Sequence, residues 1–300
     1  MKNWEGIAKE MFRTEFNDFI EYTNSRHPDS ITFGSIIEDS QRRDLTCNAL
    51  FFDIDTSEIV DLVGGLKDLE NGIVRTVGKA EDRFKEDRLR ILRVCRFSAR
   101  FGNKLDSDIE SALIKDASLE GISAERIRDE FIKGIKSAKY ITNFFELLDK
   151  FNLFNWIFKG LSVNKNFIKT IDPIVAIAIL LKGNDVDLLK KQLNKLTYST
   201  DEIKAITFLL SLPNMKKDSG LIQLKKQQKN SGLTKWQIMK VGQDLGISNR
   251  FLNCFLRFNL SVSGDFVMRE HGIKPGPEVG KIIEEIEIEN FKTMLNRVNI

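Results

Sequence analysis

Residues 84–101 read FKEDRLRILRVCRFSARF, and the placement of charge within this stretch decides how the rest of the chain is understood. At about 100° per residue, a helical wheel puts Ile91, Val94, Cys95, Phe97, Ala99 and Phe101 on one broad apolar arc. Asp87 falls between Val94 and Ile91, and Arg90 falls between Phe97 and Phe101. On this wheel two opposite charges are set into an apolar face one turn apart, pointing the same way. Arg93, Arg96 and Arg100 lie on the other arc, where helix charges normally meet water. An ordinary i, i+3 ion pair on a solvated face is the plain alternative, and spacing by itself favours it. The apolar flanks argue against it.

A carboxylate beside a guanidinium offers an acceptor edge next to a donor edge. Cytosine and adenine each present an amino donor beside a ring-nitrogen acceptor and can pair with such an edge, whereas uracil and guanine present the reverse order. A site that leaves polar groups unpaired with the wrong base discriminates against it.

Upstream, residues 31–37 (ITFGSII) and 47–63 (CNALFFDIDTSEIVDLV) carry apolar and β-branched runs, the second broken by a turn-like DIDTSE, and read as a few strands. Gly64, Gly65 and Gly72 punctuate a change to helical periodicity that holds from about residue 84 onward. Helix starts are signalled by Asp172 before Pro173, by Ser199 with Glu202, and by Thr234 with Gln237. The segment GIKPGPEVG (272–280) interrupts the helical pattern near the C-terminus. The expected fold class is α+β: an incomplete mixed head over residues 1–80, a helical neck over 81–150, and a helical body and tail over 151–300.

Composition narrows the class without naming a function. Of the 300 residues 42% are apolar and 30% charged, which excludes a disordered or collagen-like chain. The net charge of +3 is too small to argue for a polyanionic partner, so only local clusters count, such as Lys216, Lys217, Lys225, Lys226 and Lys229. Lys225 and Lys226 head that cluster as candidate contacts to an RNA backbone. Cys47, Cys95 and Cys254 are widely spaced and outside any CxxC, which fits buried thiols in a cytoplasmic protein better than disulfides or zinc ligands. No segment has the roughly 20 apolar residues that span a bilayer, and the N-terminal residues lack a signal-like pattern.

Six segments in order, RTEF…YTNSRHPDSITF (13–33), IEDSQRRDLTCNALFFD (37–53), DLVGGLKDL (61–69), EDRLRILRVCRF (86–97), SAERIRDEF (123–131) and GIKPGPEVG (272–280), resemble the class II tRNA nucleotidyltransferases and bacterial poly(A) polymerases. The resemblance implies that Arg42, Arg43 and Asp44, with Asn48, meet the ribose and triphosphate of CTP or ATP. It implies that Gly64 and Gly65 form a hinge, that Asp87 and Arg90 template the incoming base, and that Glu125 and Arg126 brace the templating helix. The chemistry agrees: a carboxylate accepts from a 2′-OH, and forked guanidinium donors suit phosphate oxygens. The tail segment, with Lys274, Gly276 and Gly280, resembles the CCA-adding members and points to tRNA as the RNA. Its proline-fixed turn ahead of a helix at Glu278 offers backbone N–H groups to a phosphate.

The family's head opens with a glycine pair and a DxD motif that holds two Mg²⁺ ions, and the chain departs from the pattern here. Asp53-Ile54-Asp55 imitates DxD but follows RRDLTCNAL, where the family has a turn between strands, so it is rejected. A further carboxylate is expected near Ala8, and Glu10 is the only substitute on that face. The expectation is therefore that no metal site lies in this chain. A small partner subunit carrying the glycine pair and DxD would then complete the enzyme, docking on the strand edge at residues 31–37.

Overall fold

The computed structural model describes residues 35–297 apart from 54, 55, 57, 103, 167, 168 and 217. Glu10 and residues 31–34 lie outside them. Residues 36 and 37 are not strand: Ser35 Oγ accepts from the Glu38 N–H while the Glu38 carboxylate takes the Ser35 N–H at 2.7 Å, and this capping box starts helix α1 (Ile36–Arg42). The reciprocal cap overrides the β-branched run. Ile36 and Ile37 are exposed on its first turn.

A 3₁₀ turn at Thr46–Asn48 leads into the antiparallel hairpin of β1 (Leu50–Phe52) and β2 (Ile59–Asp61), with Phe51 opposite Val60. The Asp53 N–H donates to the Glu58 carbonyl across the expected turn. Next come α2 (Gly65–Asn71), β3 (Ile73–Val74), α3 (Ala80–Glu86) and α4 (Leu89–Phe101). Strand β4 (Lys104–Leu105) pairs parallel with β3, and α5 (Ser107–Lys115), α6 (Ala124–Ser137), α7 (Ile141–Lys150) and α8 (Phe154–Ile157) follow. The few strands and many helices make the fold α+β.

Helix α4 is the axis of this part. Ile91, Leu92, Val94, Cys95, Phe97 and Ala99 are completely buried against α6 and α7. Burial of this order, about 1.5–3 kcal/mol for each large side chain, is what fixes a helix whose periphery is charged. Gly134 on α6 lets the Phe144 ring of α7 approach so closely that an added Cβ would stand 2.2 Å from it.

The chain divides into two compact units between Ile157 and Phe158. The second unit carries α9 (Pro173–Leu180), α10 (Val186–Lys195), α11 (Thr200–Ser211), α12 (Asp218–Lys229), α13 (Lys235–Asp244), α14 (Asn249–Arg257), α15 (Gly264–His271) and α16 (Pro277–Arg297). All three expected helix starts hold. Asp172 caps α9 with Pro173 at its first position, and capping boxes at Ser199/Glu202 and Thr234/Gln237 open α11 and α13. Val175 to Leu180 of α9 are all buried, which makes α9 the core of its unit, packed by α11 and α13. The three cysteines are buried thiols, and burial pushes the Cys95 thiol up to about 12. No helix among the described residues is long and apolar enough to cross a membrane.

Candidate functional site

The segment 84–101 is not one helix. Asp87 leaves helical geometry (φ −151°, ψ 106°), ending α3, and its Oδ1 accepts from the Leu89 N–H at 3.0 Å at the start of α4. Asp87 thus caps the helix that carries Arg90 instead of lying on its wheel. Both side chains still sit at the α3–α4 break, but they do not pair with each other. Asp87 Oδ2 holds Arg126 at 2.7 Å. Arg90 Nη1 donates to Glu86 at 2.5 Å and to the Arg83 carbonyl at 3.3 Å. Asp87 is 31% exposed and Arg90 18%, so both remain accessible. An open depression of about 540 Å³ adjoins Asp87, lined also by Lys85, Glu86, Arg88, Glu120, Ile122 and Arg126; Arg90 is not among its lining residues.

Of the two residues expected to brace this helix, Arg126 reaches Asp87, and Glu125 is exposed on the first turn of α6. The buried brace lies one turn further along. Arg96 and Glu130 pair at 2.5 Å with both side chains 5% exposed, and the Arg96 guanidinium lies 4.4 Å from the centroid of the Phe97 ring. Arg96 was expected on a solvated arc; it is buried because α6 supplies a charge to meet it. The α6 sequence held the signal for this. Ile127, Glu130, Phe131, Gly134 and Ile135 fall at i, i+3, i+4, i+7 and i+8, which puts Glu130 in the core stripe.

Arg93 likewise turns inward and donates to Asp44 Oδ2 at 2.5 Å. Asp44 Oδ1 takes the Leu45 N–H at 2.9 Å and Asn48 Nδ2 at 3.3 Å. Burial alone raises the carboxyl pKa, but the Arg93 charge and these hydrogen bonds outweigh it and hold Asp44 at about 2. The expected set is therefore partly assembled: Asp44 and Asn48 touch, and Arg93 ties them to α4. Arg43 bonds Asp39 at 2.8 Å and lies over the Phe51 ring, while Arg42 is exposed with a 3.7 Å contact to Asp39.

Gly64 has φ +83° ahead of α2, where the Asp61 carboxylate gathers the N–H groups of Val63, Gly64, Gly65 and Leu66. A Cβ on Gly65 would stand 2.2 Å from the Thr46 carbonyl oxygen. Gly64 is thus required by the turn, and Gly65 by the close approach of the 3₁₀ segment.

In the second unit the expected pair of RNA contacts splits. Lys225 is 3% exposed; its Nζ donates to the Phe255 carbonyl and to Gln228 Oε1, both at 2.7 Å, closing the C-terminal end of α14. Burial, helped by Lys229, lowers its pKa to about 8. Committed to these carbonyls, it does not face a phosphate. Lys226 is exposed, as are Lys274, Gly276 and Gly280 around the start of α16 at Pro277.

Among the described residues no group of three or more His, Cys, Asp and Glu is placed to hold a metal ion. These residues therefore do not by themselves fit a magnesium pair. Asp53 accepts from the Thr56 N–H in the hairpin turn, and Asp55 lies outside the described residues.

The Poly A polymerase head domain family matches residues 6–75, and the family described as "Probable RNA and SrmB- binding site of polymerase A" matches residues 103–164. The "CCA-adding enzyme" of Ligilactobacillus salivarius is 31% identical over 93% of this chain and 72% of its own length. That of Leuconostoc mesenteroides is 46% identical over 40% of this chain and 30% of its own length. The structure of the Bacillus stearothermophilus CCA-adding enzyme in complex with CTP superposes with a TM-score of 0.66 at 21% identity, covering 88% of this chain and 75% of that one, a likeness of fold. A Thermotoga maritima CCA-adding enzyme complexed with tRNA gives 0.59 at 19% identity, covering 88% of this chain and 73% of that one. On this similarity, which runs through almost the whole sequence, the chain belongs to the family of class II CCA-adding enzymes and bacterial poly(A) polymerases.

Proposed function

We propose that this chain selects the nucleotide and grips the RNA in a nucleotidyltransferase that adds C and A to the 3′ end of tRNA, with CTP and ATP as substrates. The observation that carries this reading is the α3–α4 break. It leaves a carboxylate just ahead of the helix and a guanidinium in its first turn, both partly exposed and each steadied by a different neighbour. Asp87 accepts the amino group of cytosine or adenine when Arg126 gives way, and Arg90 keeps Nε and Nη2 for the ring nitrogen. Uracil and guanine leave both groups facing their own kind, at a cost of about 1–3 kcal/mol for each unsatisfied group. Arg42 and Arg43 meet phosphate oxygens, and Asp44, oriented by Arg93 and Asn48, accepts from the ribose. Glu125 and Arg126 shape the approach to the depression. Gly64 and Gly65 serve as the hinge of the head over residues 1–80, against a neck over 81–150. In the body and tail, Lys226, Lys274, Gly276 and Gly280 follow the tRNA backbone, and Lys225 instead holds the local fold.

Magnesium ions, when bound in the complete head, would supply activation of the attacking hydroxyl and neutralisation of the leaving group. The longer relatives give no support to a separate subunit. The deciding assay supplies Mg²⁺, CTP, ATP and a tRNA lacking its 3′ end, with the chain alone and with a candidate polypeptide bearing a glycine pair and DxD. Extension restricted to C and A is the expected product once the carboxylates are present. Binding of tRNA without extension in either arrangement would make the chain a non-catalytic RNA-binding relative. Extension by the chain alone that is lost on Asp53→Ala would reinstate the rejected carboxylates.

A further inference from the structure

Arg83 is used more completely than any surface arginine needs to be. Its Nε donates to the Val77 carbonyl at 2.6 Å and its Nη2 to the Gln41 carbonyl at 2.5 Å, while Nη1 holds both Glu86 oxygens at 2.9 and 3.1 Å. The side chain is 17% exposed. Glu86 in turn holds Arg90 Nη1, and the Arg83 backbone carbonyl takes a second bond from the same nitrogen. An isolated i, i+3 pair such as Arg83–Glu86 is worth about 0–1 kcal/mol and positions nothing. This one is anchored at its far end on backbone. Gln41 directly precedes Arg42, Arg43 and Asp44, so three polar links run from the end of α1 to the arginine assigned to the base.

We propose that Arg83, acting through Glu86, is a positioning residue that registers the base-reading Arg90 against the segment that meets ribose and phosphate. The inference rests on the reading of Arg90 given above. With one terminal nitrogen of Arg90 fixed by Glu86 and the Arg83 carbonyl, the rotation of the planar guanidinium is set, and the remaining donors have one direction to offer. Without that relay Arg90 keeps its charge but loses its aim. Selectivity between bases then falls more than affinity, because a mobile guanidinium satisfies the wrong edge as well as the right one.

The test is equilibrium binding of CTP and UTP to the full chain for wild type, Arg83→Ala, Arg83→Lys, Glu86→Gln, Arg90→Ala and the Arg83→Ala/Arg90→Ala double variant, with folding followed by circular dichroism. The expected result is that Arg83→Ala lowers the CTP-over-UTP ratio by about tenfold, the scale of one charge-assisted hydrogen bond. Arg83→Lys and Glu86→Gln fall between it and wild type, and the double variant is no worse than Arg90→Ala. Equal losses of CTP and UTP affinity, with the ratio unchanged while Arg90→Ala abolishes it, would overturn the relay and leave the base-reading assignment standing. A ratio unaffected by Arg90→Ala, or absent in the wild type, would instead remove the reading on which the relay rests. Should Arg83→Ala fail to fold, Glu86→Gln, at a half-exposed position, decides the question by the same ratio.

Discussion

The two units use charge to different degrees: only the first has an ion pair, Arg96 with Glu130, whose side chains are both 5% exposed among the described residues. Between residues 35 and 157 ion pairs join distant elements: Asp44 with Arg93 and Arg96 with Glu130 turn inward, and Asp87 with Arg126 lies nearer the surface. Between residues 158 and 297 one pair, Lys182 with Asp244, joins distant elements, while pairs such as Lys190–Asp187 and Lys204–Asp201 stay along single helices in water, over an apolar core. A polar interior costs desolvation and must be geometrically matched, so it is a poor way to gain stability and a good way to hold a few side chains at fixed angles.

The largest contrast is expected at the buried pair. Glu130→Ala, which strands Arg96 in the core, costs about 3–5 kcal/mol by urea denaturation, while Lys204→Ala in the other unit stays within about 0.5 kcal/mol. A Glu130→Ala loss below about 1 kcal/mol would mean that Arg96 finds water and that the first unit is less rigid than its packing implies.

Asp44 extends the contrast to pH. Its folded pKa of about 2 lies below the ordinary value of 3.8, so its contribution is fully present above the unfolded pKa and disappears as the pH falls through the folded one. Between about pH 4 and pH 2 the first unit should lose about 2 kcal/mol through this group, and Asp44→Asn should flatten that part of the stability profile. An unchanged acid limb in the variant would show that Arg93 does not hold the carboxylate in solution.

Lys225 and Lys226 differ by one position and by environment. Removing the Lys225 ammonium leaves the Phe255 and Leu256 carbonyls short of a donor, so Lys225→Ala should lower the stability of the second unit by about 1–3 kcal/mol. Lys226→Ala should leave stability alone and shallow the salt dependence of tRNA binding by about one phosphate contact. The opposite pattern would put Lys225 back on the RNA surface.

These contrasts also explain what the sequence disclosed. Caps are local, and the starts at Asp172, Ser199 and Thr234 were legible because one side chain and the backbone a few residues on suffice to make them. The hairpin around DIDTSE was legible for the same reason. The helix at 36–42 was missed although its capping box, Ser35 with Glu38, was as plain as the others, because the β-branched run weighed more. The break at Asp87 escaped because a wheel assumes one helix. The inward turn of Arg93 and the burial of Arg96 and Lys225 depend on partners 30 to 49 positions away, which no local pattern reports. Glu130 was the exception, since it occupied a core position in its own stripe.

The most direct measurement of the central claim is the base preference of nucleotide binding, with CTP, ATP, UTP and GTP titrated against the full chain and against Asp87→Ala and Arg90→Ala. The account predicts a wild-type preference for CTP and ATP that falls by about tenfold or more in each variant, while far-UV circular dichroism and the response to urea stay close to wild type. A preference that survives both substitutions would contradict it, and would leave Asp87 and Arg90 with only the local contacts they make to Arg126 and Glu86.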